Sequence, residues 1–272
     1  MTEHADSPLS VVVLSCGSLG NDVAERLRGA RGVGRITLIT APYRQKPLSL
    51  PRKLRYVHRM QGWPGLAAAV AGKLAAPIRG ARDASSRNAD VDGVDPAIPH
   101  LRFDDFHDPA CIQALHALKP DLGVIAGTYI LEESVFGVPR LGSINLHSGK
   151  VPEYRGAAPA FWELYNGETQ VGITIHRVAA AVDAGGVLLQ ELFALDPAPA
   201  GDPLAFVERY RRDVLRPNGV RLLVEAVERI ANGTAVERPQ QDAVARVYRT
   251  PDYRAIRELR RRVTERRMGR TP

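Results

Sequence analysis

The stretch SVVVLSCGSLGNDVAERLRGA, residues 10–30, decides the fold. Four consecutive apolar residues, three of them valine, make a short run suited to a strand buried on both faces; a glycine turn follows, and VAERLRGA then repeats its apolar positions at helical spacing. The same alternation continues outward. GRITLITA (34–41), HLRF (100–103), DLGVIAG (121–127) and LGSINLH (141–147) read as strands, with PACIQALHALK (109–119) and APAFWELYNG (158–167) as helices between them. Strands alternating with helices imply a parallel, doubly wound α/β sheet. VGITIHRV (171–178) and GVLLQELFAL (186–195) are two further strands joined by a tight loop, a pair short enough to run antiparallel.

Beyond the linker PAPAGDP at Pro197, Leu204–Ala231 is a long amphipathic helix with one break at Pro217. AVARVYRTP (243–251) has strand character, YRAIRELRRRV (253–263) is a basic terminal helix, and ERRMGRTP (265–272) is expected to fray. The expected division is a unit over 1–197, interrupted by an insert at 43–98, and a helical extension over 198–272. Five prolines break up the insert around the helix candidate GLAAAVAGKLAA, with 80–96 its least ordered part.

Of the 272 residues 44% are hydrophobic and 25% charged, which excludes a disordered chain. No apolar run is long enough to span a membrane and the acidic, polar start does not resemble a signal peptide, so a cytoplasmic location is expected. Cys16 and Cys111 lie in no redox or metal spacing and read as small buried hydrophobes. The net charge of +7 is uneven: residues 43–90 carry +8 and 246–272 carry +7, leaving the remainder at −8. Charge runs are most often solvated helix faces, and few aromatic rings interleave these, so nucleic acid is not the expected partner.

CGSLGND lacks the full GxGxxG pattern, and no acidic residue closes the second strand, so a dinucleotide site is not indicated. The chemistry-bearing residues lie further on. Asn145 and His147, two apart at the end of a buried strand, point to the same side at the carboxyl edge of the sheet. Asp183 lies in VAAAVDAGG, a loop able to return a carboxylate to that edge. An amide donor, an imidazole and a carboxylate together suit acyl transfer. Taken singly, each is more often a turn capper or a satisfied core residue.

The string running from PDLGVIAGTYIL through NLHSGKVPEYRGAAPAFWELYNGE to GITIHRVAAAVDAGGVLLQ resembles the folate-dependent formyltransferase family. That family shares a Rossmann-like catalytic domain and 10-formyltetrahydrofolate as donor. Its Asn-x-His, P-x-Y-R-G-A-x-P and V-D-x-G motifs stand here as Asn145-Leu146-His147, Pro152–Pro159 and Val182-Asp183-Ala184-Gly185. The resemblance is dense over roughly 120–195, thinner over 10–40 and absent across the insert. It implies Asn145, His147 and Asp183 as the catalytic set, with no metal. It further implies a pterin held by Gly127, Thr128, Tyr129, Ile130, Leu131, Val182 and Gly185. Acceptor contacts would come from Ser148, Gly149, Lys150, Tyr154, Arg155 and Gly156. Between His147 and Pro152 many relatives have a proline and a leucine pair where this chain has Ser148–Val151, which leaves acceptor recognition open.

The expected activity is transfer of a formyl group to a primary amine of a small molecule, an amino sugar or nucleotide-linked amino sugar first. After Pro197 the 75 remaining residues fall short of the extra barrel that tRNA-directed relatives carry. Glycinamide ribonucleotide, methionyl-tRNA and water (a formyltetrahydrofolate hydrolase) are the alternatives, the last usually needing a preceding domain larger than nine residues. A basic nucleic-acid-binding protein is the non-enzymatic one. The insert leaves the second strand at the same edge as the site, so Arg52, Arg55 and Arg59 are candidates for a lid that meets an acceptor phosphate, with a solvated or membrane-surface helix the equal alternative.

Overall fold

The valine run forms β1 (Leu9–Ser15), an interior strand of a seven-stranded sheet, between β2 and β4 in its order. In the computed structural model, residues 7–43, 55, 57–59, 62–63 and 93–270 are described. Val11 and Val13 face one core cluster while Val12 and Leu14 face another, which is why the run shows no polar alternation. Helix α1 (Leu19–Leu27) follows, then β2 (Val33–Thr40), β3 (His100–Arg102), α2 (Pro109–Leu118), β4 (Leu122–Ile125), the short α3 (Glu133–Phe136) and β5 (Ser143–His147). The two-residue β6 (Arg155–Gly156), α4 (Phe161–Asn166), β7 (Gln170–Arg177) and β8 (Val187–Ala194) come next.

The sheet order is β3-β2-β1-β4-β5-β7-β8, parallel from β3 to β5 and antiparallel for β5-β7-β8. This is the doubly wound, mostly parallel α/β sheet that the alternation implies, with the final hairpin antiparallel. The order reverses between β1 and β4, which opens a crevice beyond their carboxyl ends, where sheets of this kind bind ligands.

The amphipathic stretch after Pro197 is not one helix broken at Pro217. It comprises α5 (Pro203–Tyr210), a π-helical turn over Arg211–Leu215, and α6 (Arg216–Ala231). Pro217 sits in the first turn of α6, the helical position that tolerates proline best, and the widened turn lies just ahead of it. Helix α6 packs on β5, β7 and α1, burying Val220, Leu223 and Val227 in the larger core cluster. Strand character in 243–251 contracts to β9 (Val247–Tyr248), which pairs in parallel with β6. Helix α7 (Tyr253–Arg267) is capped by Asp252, whose carboxylate accepts from the Ala255 N–H at 2.9 Å. The expected fraying from Glu265 is corrected here: the helix runs through Arg267, because Arg266 and Arg267 bond backbone carbonyls of the body.

Cys16 and Cys111 are buried and unbridged. Among the described residues no helix is long and apolar enough to cross a membrane. Most of the insert, including Arg52 and GLAAAVAGKLAA, lies outside the described residues; Arg55 and Val57–Arg59 are helical.

Candidate active site

Strand pairing assembles the site. β5 and β7 place Asn145 opposite His176 and His147 opposite Thr174, so all four side chains share one face, while Ile144, Leu146 and Ile175 turn to the core on the other. The β7–β8 loop then brings Asp183 over this face in a left-handed backbone conformation, φ +47°. Asp183 Oδ2 lies 3.4 Å from His147 Nδ1 and accepts the Gly156 N–H at 2.8 Å. Its Oδ1 lies 3.4 Å from both His176 Nε2 and Asn145 Nδ2. The three residues expected from sequence therefore meet around one carboxylate.

His176 is a fourth member that the sequence reading missed. Its Nδ1 donates to the Arg177 carbonyl at 2.8 Å, which leaves Nε2 facing Asn145 Nδ2, 3.2 Å away, and Asp183. The signal was available in VGITIHRV: Thr174 and His176 are two apart in a buried strand, so they must share a face.

The His147 ring is fixed at both nitrogens, with Nε2 donating to the Tyr154 carbonyl at 2.6 Å. Gly149 allows this contact, since a Cβ there would overlap His147 Nε2 and the Tyr154 oxygen. Burial lowers the His147 pKa, against the pull of the Asp183 charge and the Tyr154 carbonyl. Burial works to raise that of Asp183, but the His176 hydrogen bond, the His147 charge and the Gly156 N–H outweigh it and bring it down to about 2. A carboxylate thus remains charged beside an imidazole held neutral. A proton arriving on Nδ1 would be shared with Asp183 Oδ2.

The C-terminal extension closes the loop from the other side. Gln240 Nε2 donates to the carbonyls of Asp183 (2.8 Å) and Gly185 (2.7 Å), and its Oε1 accepts from Arg155 Nε (3.0 Å) and Nη2 (2.7 Å). Arg155 is buried, its guanidinium directed to this clasp. Gly156 adopts φ +94° where β6 meets Tyr248 of β9. No local sequence pattern marks Gln240, which joins the site only through folding of the extension.

The remaining candidates are dispersed around this centre. Lys150 pairs with Glu153 at 2.8 Å. Tyr154 bonds Glu168 through its hydroxyl at 2.8 Å and stacks on Tyr248, ring centroids 5.1 Å apart. A narrow pocket runs between Ser148 and the 154–159 segment, with His147, Trp162, Glu163 and Tyr248 in its wall.

On the β4 side, Gly127 takes φ +69° and its carbonyl accepts the Cys16 N–H at 3.3 Å. Tyr129 turns its hydroxyl to Asp105 (2.6 Å), which holds that carboxyl down at about 2, so Tyr129 offers the turn its backbone. Among the described residues the backbone of Thr128, Ile130 and Leu131 makes no hydrogen bond within the chain. Leu131 is buried, whereas Ile130 and Val182 are exposed. Unpaired amides beside exposed apolar side chains at the switch point suit a flat heterocycle with polar edges, so the residues present fit a pterin.

Comparison with known proteins agrees with this reading of the fold. Residues 73–205 match the family model described as Formyl transferase. A methionyl-tRNA formyltransferase from Chlorobium chlorochromatii is 36% identical over 148 residues, 54% of this chain and 45% of that protein. Another, from Chloroflexus aggregans, is 36% identical over 55% of this chain and 47% of its own. The chain thus spans about half the length of the curated relatives it matches. Glycinamide ribonucleotide transformylase 1 from Symbiobacterium toebii shares the fold over 86% of this chain and 95% of its own, with TM-score 0.54 and 22% identity. The sugar 3N-formyl transferase WlaRD, solved in the presence of dTDP and 5-N-formyl-THF, covers 88% of this chain and 69% of its own, with TM-score 0.51 and 12% identity.

Proposed function

We propose, from the match of residues 73–205 to the formyl transferase family, that the chain transfers a formyl group from 10-formyltetrahydrofolate to a primary amine. The observation that carries the proposal is the convergence of Asn145, His147 and His176 on Asp183 at the carboxyl edge of β5. The folate supplies an activated formyl carbon.

This chain's residues do the rest. The turn 127–131 with Val182 and Gly185 holds the pterin by backbone groups and apolar contact. Asn145 turns its amide hydrogen to the formyl oxygen as that oxygen becomes negative. His147, neutral at rest, takes the proton released by the attacking nitrogen and shares it with Asp183 until it passes to the departing folate nitrogen. Gln240 and Gly156 keep the Asp183 loop in its strained conformation throughout.

The acceptor is a finer question. The sequence puts an amino sugar first, but the names of the curated relatives favour the amino group of methionyl-tRNA, which we therefore take as the leading acceptor. The test is incubation with 10-formyltetrahydrofolate and, separately, methionyl-tRNA, a nucleotide-linked amino sugar or glycinamide ribonucleotide, read as a mass gain of one formyl group. Formylation of methionyl-tRNA alone is the expected result. Formylation of the sugar alone would reverse the order of acceptors, and formate release with no acceptor would point to a hydrolase.

A further inference from the structure

We propose that Glu163, a residue outside the set that resembles the family's catalytic one, is the counter-ion and proton acceptor for the incoming amine. The inference rests on the formyl-transfer reading above and adds to it the group that deprotonates the acceptor. Glu163 is 1% exposed, and neither of its carboxylate oxygens has a hydrogen-bond partner. It stands on α4 between Phe161 and Leu164, both buried in the core. An apolar residue would pack there at no electrostatic cost, whereas an unpartnered buried carboxylate is destabilising unless it is protonated or meets a cation.

A cation can approach this carboxylate from outside. Glu163 lines the same pocket as His147, Ser148, Tyr154, Trp162 and Tyr248. That pocket has room for about one water-sized group, the size of an ammonium head and far less than a whole acceptor. Tyr154 and Trp162 both stack on Tyr248, with centroids 5.1 and 5.2 Å apart, so aromatic rings border the pocket and favour a cation near it.

The groups facing Glu163 set its proton affinity. Burial raises it and the Glu168 charge adds to this, while the nearby backbone N–H groups of Glu163 and Ala160, which do not reach hydrogen-bond geometry, and the Arg211 charge lower it; the outcome is about 7. Tyr210, on α5, is the other titratable neighbour. The Arg211 guanidinium bonds the Pro159 carbonyl at 2.8 Å and Glu208 at 3.1 Å, and acts on Glu163 through its charge.

An amine protonated at neutral pH, fully for an alkylamine and in part for the less basic amino group of an aminoacyl ester, reaches the protein as an ammonium ion, which has no lone pair with which to attack. One N–H bond of the ammonium breaks, its proton moves to a Glu163 oxygen directly or through one water, and the freed lone pair forms the bond to the formyl carbon. The second nitrogen proton follows the His147–Asp183 route to the folate nitrogen as the carbon–folate bond breaks. Glu163 returns its proton to solvent after product leaves.

The test uses the full chain with 10-formyltetrahydrofolate and two small probe amines: methylamine, protonated at neutral pH, and methoxyamine, already a free base there. Glu163→Gln and Glu163→Leu are compared with wild type at pH 7, with binding of 5-formyltetrahydrofolate and the denaturation midpoint as controls for folding. Loss of general-base help should lower kcat/KM for methylamine by about 10²- to 10⁴-fold and leave methoxyamine within about threefold. Raising the pH should restore methylamine turnover in the variants. Equal loss on both amines, or no loss on either, in a folded variant overturns the proposal. Wild type that binds donor but formylates neither amine also overturns it, whereas wild type that fails to bind donor overturns the formyl-transfer reading itself.

Discussion

Glu163 also makes a prediction that needs no substrate. Burial holds its pKa at about 7 in the folded protein, against a reference value of 4.5. The folded state therefore binds this proton more tightly than the unfolded one, and the stabilisation is fully present below pH 4.5 and lost as the pH rises through 7. A difference of about 2.5 pH units at 1.36 kcal/mol each amounts to about 3 kcal/mol, a sizeable share of the 5–15 kcal/mol that holds a typical domain together. Many other groups titrate in this range, so the quantity to measure is the difference between wild type and Glu163→Gln, whose amide does not titrate. Urea denaturation at half-unit steps from pH 4 to 9 gives that difference, and common titrations cancel. Relative to the variant, wild type should lose about 3 kcal/mol between pH 4.5 and 8, with most of the change below pH 7. The amide's own fit shifts the whole curve without altering its slope. A difference that stays flat within about 0.5 kcal/mol would refute the buried, unpartnered carboxyl.

His147→Asn and Asp183→Asn should abolish formyl transfer while leaving calorimetric binding of 5-formyltetrahydrofolate intact, because both act on charge that develops only during the reaction. Asn145→Ala should lower kcat by about 10²- to 10³-fold, about 2.7–4 kcal/mol, the usual cost of one oxyanion donor. Gln240→Ala removes the clasp on the Asp183 loop and takes one acceptor from buried Arg155, so it should cost about 1–3 kcal/mol in denaturant stability and weaken donor binding. Arg212→Ala, whose exposed ion pair with neighbouring Asp213 holds nothing else, should stay within about 0.5 kcal/mol of wild type by the same denaturation measurement.

What the sequence made legible follows from which signals are local. The order of β1, β2, β3, β4 and β5 with their helices could be read because each strand is a buried apolar run bounded by turn residues. Asn145 and His147 were legible because a two-residue spacing on one strand fixes a shared face. His176 required the pairing of β5 with β7, a contact 31 residues away in sequence, although its own strand supplied half the clue. Glu163 was visible as a charge inside AFWELY, but only packing reveals that both its oxygens lack partners. Gln240 could not be read at all, since its partners lie more than fifty residues upstream. The single break at Pro217 was misplaced because a proline forbids one hydrogen bond without specifying how the preceding turn adjusts.

The arginine-rich tail shows how charge counting can mislead about a surface. Arg266 donates to the carbonyls of Leu164 (2.8 Å), Pro197 (2.7 Å) and Tyr165 (2.8 Å), and Arg267 to those of Pro199 and Gly201. Arg262 lies 4.2 Å over the Tyr165 ring, while Arg260 pairs with Asp202 and Arg261 with Glu258. These guanidinium groups cap the carboxyl end of α4 and brace the linker after Pro197, tasks that suit five donors in a planar fork better than a lysine point charge. Helix α4 carries Glu163 and Trp162, so the tail holds one wall of the pocket. β9 holds β6, and Gln240 holds the Asp183 loop. The extension therefore reaches the candidate site at three separate points. A substitution deep in the tail, such as Arg266→Ala, should thus reduce formyl transfer along with stability, whereas the outward Arg212→Ala leaves both unchanged.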